Sequence, residues 1–204
     1  MATVRNSEQT RAAILSAAFD EIHHHGFQGA RLDRLLPALG LTKGALYHHF
    51  PDKNAVGFAI IDEIMKEQFQ TTWIEPLASC ADPIKTLRGI LDRALEMHLQ
   101  SDEQMERGCP CFNLVQEMSP LDERFRDRLE ALLEGRRDAI AGALKRGIRT
   151  GHVRKGIKPA ETADFIIASV QGYLAVGMLH RKRDRIVSGF KQVGVYLEGL
   201  RPAA

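Results

Sequence analysis

Cysteine is scarce in this 204-residue chain: Cys80, Cys109 and Cys111 are too few and too unevenly spaced for a disulfide framework. Charge of one sign is lacking as well, since 28 Lys and Arg stand against 26 Asp and Glu, a formal net charge of +2. That balance excludes a polybasic coat. Any nucleic-acid binding must then come from where charges are placed rather than from bulk attraction. No run approaches the ~18 uninterrupted apolar residues of a membrane span, and the opening MATVRNSEQT has no signal-peptide apolar core. A cytoplasmic chain with no membrane partner is expected. Catalytic signatures are missing too: there is no Gly-rich phosphate loop, HExxH, GxSxG or CxxC pair, so no enzyme and no cofactor is expected.

What the chain does have is helical spacing, almost everywhere. Ile14, Leu15, Ala18, Phe19 and Ile22 form one apolar stripe, with Asn6 or Ser7 able to cap its start and Gly26 to end it. A short segment with Leu32, Leu35, Leu36 and Leu39 follows, then Thr42 to Phe50. Asp52 is placed to cap a long helix reaching about Leu77. Further helices are expected at about 83–100, 107–118, 121–150, 159–180 and 184–200, about nine in all. With no β-branched alternation and no hairpin turn, the chain reads as all-α.

Residues 26–53 carry the most information. A helix, a short helix, a tight Gly40-Leu41 turn and a third helix beginning after Thr42 make a helix-turn-helix, whose last helix can lie in the DNA major groove. With Thr42 as cap, the amides of Lys43, Gly44 and Ala45 point out of the helix start, where a phosphate is favoured. Gly44 and Ala45 are small enough for close approach to the groove. Tyr47, His48 and His49 bring donors on the next turn, and Lys53 sits at the start of the helix after it. His23-His24-His25 is no metal site on this reading, because neighbouring helix positions point about 100° apart. Residues 1–53 are nearly neutral, with six cations against five acids. Placement decides: Arg31, Lys43 and Lys53 all fall at helix starts.

Gly26-Phe27, the run Gly40-Leu41-Thr42-Lys43-Gly44-Ala45-Leu46-Tyr47-His48-His49-Phe50, and Asp52-Lys53 resemble the signature of the TetR/AcrR family of transcriptional regulators. The resemblance implies an N-terminal three-helix DNA-binding domain over residues 1–53 and a larger helical effector-binding and dimerisation domain over 54–204. It also implies that Thr42, Tyr47 and Lys53 hold phosphates while Lys43, Ala45 and His48 face the groove. Two positions depart from the pattern. Arg31 stands where the family caps its second helix with Ser or Thr, leaving a cation able to reach phosphate instead. Pro37 falls inside that helix, where it removes a donor.

In the remainder, Gly172, Ala175 and Gly177 on one helix, and the stripe Ile186, Phe190, Val193 and Leu197 on the next, are the residues expected to form a four-helix dimer interface. The alternative for each is packing within one chain. The segment from Arg107 to Met118 resembles the Gly-Cys-x-x-x-Asn-Leu-x-x-Glu segment that lines the effector cavity in one branch of the family, where the cysteine of the Gly-Cys pair senses electrophiles; here that cysteine is Cys109. The other expectation for Cys109 and Cys111 is that they are small packed residues. An apolar small-molecule effector would be lined by Phe69, Trp73, Met97, Met105, Cys109, Phe112, Gln116, Phe125 and Tyr173. The function implied is a homodimeric repressor on a palindromic double-stranded operator. The alternatives are electrophile sensing through Cys109 or a helical interaction module that binds no DNA.

Overall fold

A computed structural model of the chain describes residues 2–203, with side chains from Ser7 onward. Every one of the expected segments is helical, and no strand occurs among the described residues. Helix α1 spans Ala2–Gly29 and is interrupted at Gly26 (φ 73°, ψ 164°). It begins upstream of the expected caps, and the side chain of Asn6 lies outside those described. A single 3₁₀ turn, Leu32–Arg34, leads into the one-turn α2, Leu36–Leu39, and α3 is Lys43–His49. A continuous helical run over residues 53–78, α4, contains two stretches of wider π-type bonding at Ile60–Met65 and Gln70–Ile74. Then come α5, Pro83–His98, and α6, Asp102–Arg107. The expected 107–118 helix starts only at Pro110, as α7, Pro110–Met118, because Gly108 takes a left-handed φ of 67°. The chain ends with α8, Glu123–Thr150, α9, Pro159–His180, and α10, Arg183–Glu198.

The helix starts follow the sequence chemistry. Thr42 Oγ accepts from the Ala45 amide at 3.2 Å, Asp52 from Ala55 at 2.7 Å, and Asp82 from Ile84 and Lys85 at 2.9 and 3.1 Å. Pro37 does not interrupt a helix. The chain before it is a 3₁₀ turn, so proline falls in the first turn of α2, where its missing N–H costs nothing.

Two compact units result. The first runs through Lys66 and takes in Pro110–Leu129; the second comprises Glu67–Cys109 and the chain from Glu130 onward. Packing thus groups α7 and the start of α8 with the N-terminal helices. In the first unit, Phe125 is fully buried with its ring 4.7 Å from both Phe27 and Phe58. Gly57 makes room for this cluster, since a Cβ there would lie 2.6 Å from Phe125 and Phe27. In the second, Leu87 and Ile90 of α5, Ile140 and Leu144 of α8, Ile166 of α9 and Ile186 and Leu197 of α10 are all fully buried in one apolar core.

The apolar stripe of α10 therefore faces its own chain. Ile186, Phe190, Val193 and Leu197 are at most 5% exposed. Their expected place in a dimer interface is corrected: buried against the rest of the second unit, they leave nothing for a partner to cover. Gly177 belongs with them, because its missing side chain lets Ile186 pack onto the α9 backbone, where a Cβ would meet Ile186 at 2.0 Å. Gly172 and Ala175 remain on the outer face of α9. That face also carries Phe165, Val176 and Leu179, the last 77% exposed. By length and composition α9 could cross a membrane, and 33% of its most apolar stretch is buried within the chain.

Candidate nucleic-acid interface

Helix α3 is seated by two side chains and presents the rest. Leu46 and Phe50, one turn apart, are each 2% exposed and anchor it to the first unit. The opposite face, at positions 43, 44, 47 and 48, consists of exposed Lys43, Gly44, Tyr47 and His48, with Tyr47 57% exposed. Ala45 is half-buried at its edge. Thr42 is exposed, and because its oxygen accepts from Ala45 its O–H hydrogen is left to donate outward. The turn before α3 closes through Gly40, in a left-handed conformation, and the bond from the Leu41 amide to the Leu36 carbonyl at 2.9 Å. Arg31 occupies the cap position of the 3₁₀ turn without capping it; its guanidinium is exposed and its own amide donates to Glu21 Oε1 at 2.9 Å.

Lys53 makes contacts that the sequence does not indicate. Its ammonium donates to the carbonyls of Gln28 and Ala30, at 3.1 and 2.6 Å, and lies 5.2 Å over the Phe27 ring. Burial pushes its pKa below the ordinary lysine value, opposed by the negative charge of Glu117 and Glu21. Two of its three donors are spent inside the protein, leaving one to donate elsewhere. Arg11 is a further such residue. It forms a two-pronged ion pair with Glu63, at 2.7 and 2.5 Å, and its guanidinium lies 5.0 Å over Phe50 at the end of α3. No signal short of the fold could have paired residues so far apart in the chain.

The nine residues expected to line an effector pocket fall in both units. Phe112, Gln116 and Phe125 belong to the first unit, and the other six to the second. Phe125 is core packing, Met97 is 52% exposed, and the Tyr173 ring fills the space above Gly189, where a Cβ would sit 2.1 Å from it. Met105 is buried in the second core. Phe69 and Trp73 do share a neighbour: the guanidinium of Arg136, only 3% exposed, lies 5.1 and 5.3 Å from their rings. A cavity of about 10 Å³ beside Met65, Leu114 and Glu117, and an open groove of about 410 Å³ beside Lys158, Thr162 and Tyr196, are lined by none of the nine. Cys109 is half-buried and Cys111 buried, and neither is in a disulfide. Among the described residues no three metal-ligating side chains converge.

Comparison with known proteins bears on the same regions. A sequence profile for bacterial regulatory proteins of the tetR family matches residues 14–60, and one for the tetracyclin repressor-like C-terminal domain matches residues 83–192. An uncharacterised HTH-type transcriptional regulator of Lactococcus lactis is 31% identical over 94% of this chain and 98% of its own length. The HTH-type transcriptional repressor DhaR of a Mycobacterium species is 27% identical over 78% of this chain and 77% of its own. A solved TetR-family regulator from Agrobacterium tumefaciens has the same fold, with a TM-score of 0.84 at 18% identity over 96% of this chain and all of that one. These matches set aside a helical interaction module that binds no DNA.

Proposed function

Because the chain belongs to the TetR family of DNA-binding transcriptional regulators, we propose that it is a homodimeric repressor that a small apolar effector releases from a palindromic operator. Residues 1–53 bind DNA, and residues 54–204 bind effector and partner. The observation that carries this reading is α3 itself, with its apolar back buried and Lys43, Gly44, Tyr47 and His48 turned outward. In the groove, Lys43, Gly44, Ala45 and His48 approach the bases, while Thr42, Tyr47, Arg31 and the remaining donor of Lys53 hold phosphates. DhaR, a relative named as a repressor, supports that direction of control.

Dimerisation falls to the outer face of α9, where Phe165, Gly172, Ala175, Val176 and Leu179 form an apolar strip that its own chain leaves uncovered. A two-fold pair of such strips sets two α3 helices on half-sites about one or two DNA turns apart. The effector enters the apolar interior of the second unit around Phe69, Trp73 and Met105. It acts only through different affinity for the DNA-bound and free states. Helix α4, which starts at Lys53 and carries Phe69 and Trp73, is the element through which the two states differ.

Fluorescence anisotropy against duplex DNA from upstream of the protein's own gene tests the reading. Tight binding that weakens steeply with salt and is lost in Tyr47→Ala is expected. Weak, salt-insensitive binding unchanged by that substitution contradicts it. A second reading assigns the trigger to Cys109, which is half-buried between the left-handed Gly108 and the start of α7. In that case the Cys109 thiolate adds across the C=C bond of an electrophile, the π bond opening and the other carbon taking a proton from water, and the group now attached to sulfur displaces α7. Cys109→Ser then abolishes release by N-ethylmaleimide, and unchanged release eliminates this reading.

A further inference from the structure

Residues 26–31 join α1 to the first turn of the helix-turn-helix, and their backbone is held mostly by side chains. Gly26 leaves the helical ladder at φ 73°, a conformation strained for any other residue, and the chain restarts as a single helical turn closed by the Ala30 amide on the Gly26 carbonyl at 3.0 Å. A restarted turn has orphan amides at its front. One carboxylate takes two of them: Phe27 N–H donates to Glu117 Oε2 at 2.7 Å and Gln28 N–H to Glu117 Oε1 at 2.8 Å. The carbonyls of Gln28 and Ala30 are taken by Lys53, and the Arg31 amide by Glu21.

Glu21 and Lys53 flank the DNA-binding helices in sequence. Glu117 does not: it stands 90 and 89 positions from the amides it receives, on α7. That helix is seated by Cys111, Leu114 and Met118, an apolar stripe whose contacts can slide by fractions of an ångström. Two short charge-assisted bonds to backbone amides cannot slide without breaking. A Cβ on residue 26 would come within 3.0 Å of Glu117 Oε2, so the glycine is also what lets the carboxylate approach.

We propose that Glu117 is a positioning residue for DNA binding, a cap supplied by α7 that makes the orientation of α2 and α3 follow the position of α7. This rests on the reading of the chain as an effector-controlled repressor. It adds α7, which begins directly after Cys109, to α4 as a link to the DNA-binding helices.

Amide hydrogen exchange and anisotropy on full-length Glu117→Ala and Glu117→Gln, with duplex DNA from upstream of the gene as probe, test it. In Glu117→Ala, exchange at Phe27, at Gln28 and across residues 36–49 rises roughly tenfold or more. Helices α5 and α10 keep wild-type protection. DNA affinity falls by a comparable factor with the wild-type salt slope, because the phosphate contacts themselves are unchanged. Glu117→Gln, which keeps the shape and one acceptor oxygen, falls between. Wild-type exchange over 27–49 in both variants overturns the proposal. So does a rise confined to residues 27 and 28 with affinity unchanged, which makes Glu117 a cap and nothing more. If the wild-type chain fails to bind the DNA, the regulator reading fails, and the exchange at 36–49 still decides whether Glu117 holds these helices.

Discussion

Helices α3 and α9 both present surface that their own chain does not cover, and they differ in all that decides a partner. Helix α3 is seven residues long, anchored by Leu46 and Phe50, and its outer face is a lysine, a glycine, a tyrosine and a histidine. Helix α9 is 22 residues long and leaves Phe165, Val176 and Leu179 outside. A polar outer face over an apolar anchor can stay solvated until a charged ligand arrives. An apolar strip that long is covered only by another apolar surface. Exposure alone therefore identifies no partner, and the chemistry of what is exposed separates DNA from a second chain.

The comparison breaks most sharply at α9. Replacing both Val176 and Leu179 with Asp is expected to weaken self-association by a hundredfold or more, on the order of 3 kcal/mol. Light scattering after gel filtration would then show a monomer, and binding to a two-half-site duplex would be lost. Unchanged mass removes the α9 strip from the interface. The inward stripe of α10 should behave in the opposite way. Leu197→Ala costs about 2–5 kcal/mol of folding stability in a denaturant titration, as a fully buried leucine does, with the oligomeric state intact below the transition. At α3 the effect is smaller and confined to DNA: Lys43→Ala should lower affinity about tenfold and reduce the salt slope by about one, with the melting temperature unchanged.

How far these roles could be read from the chain differs in the same way. The α3 surface was legible because a seven-residue helix with one buried pair leaves few choices for its outer face. Thr42, Leu46, Tyr47 and Phe50 each stand where spacing put them. On α9 and α10 the spacing announced apolar stripes without saying which faced inward. Phe190 and Leu197 fill the chain's own core, and Leu179 does not, because burial is decided by elements far away in sequence. The same holds for Phe125, an expected pocket residue that packs against Phe27 and Phe58. Lys53 does begin its helix, but its bonds to Gln28 and Ala30 depend on the break at Gly26.

The smallest expected effect is one of pH. The hydrogen bonds from Arg11 hold the Glu63 carboxyl below its ordinary value of 4.5, against the opposing effect of burial. A folded-state value below the unfolded one means that the contribution is fully present above about pH 4.5 and is lost as the pH falls through the depressed value. Both groups are largely open to solvent, so the difference between wild type and Glu63→Gln should be under about 1 kcal/mol at pH 7 and close in acid. Chemical denaturation at pH 7 and pH 3 measures it; a gap that widens in acid contradicts the assignment.

The central claim is that two copies of α3, held apart by a dimer, read two half-sites. A hydroxyl-radical footprint on the DNA upstream of the gene tests it most directly. The account predicts two protected patches on one face of the duplex, with centres about 10 or about 20 base pairs apart, both fading together in Tyr47→Ala. A single patch, or protection that survives that substitution, would contradict it.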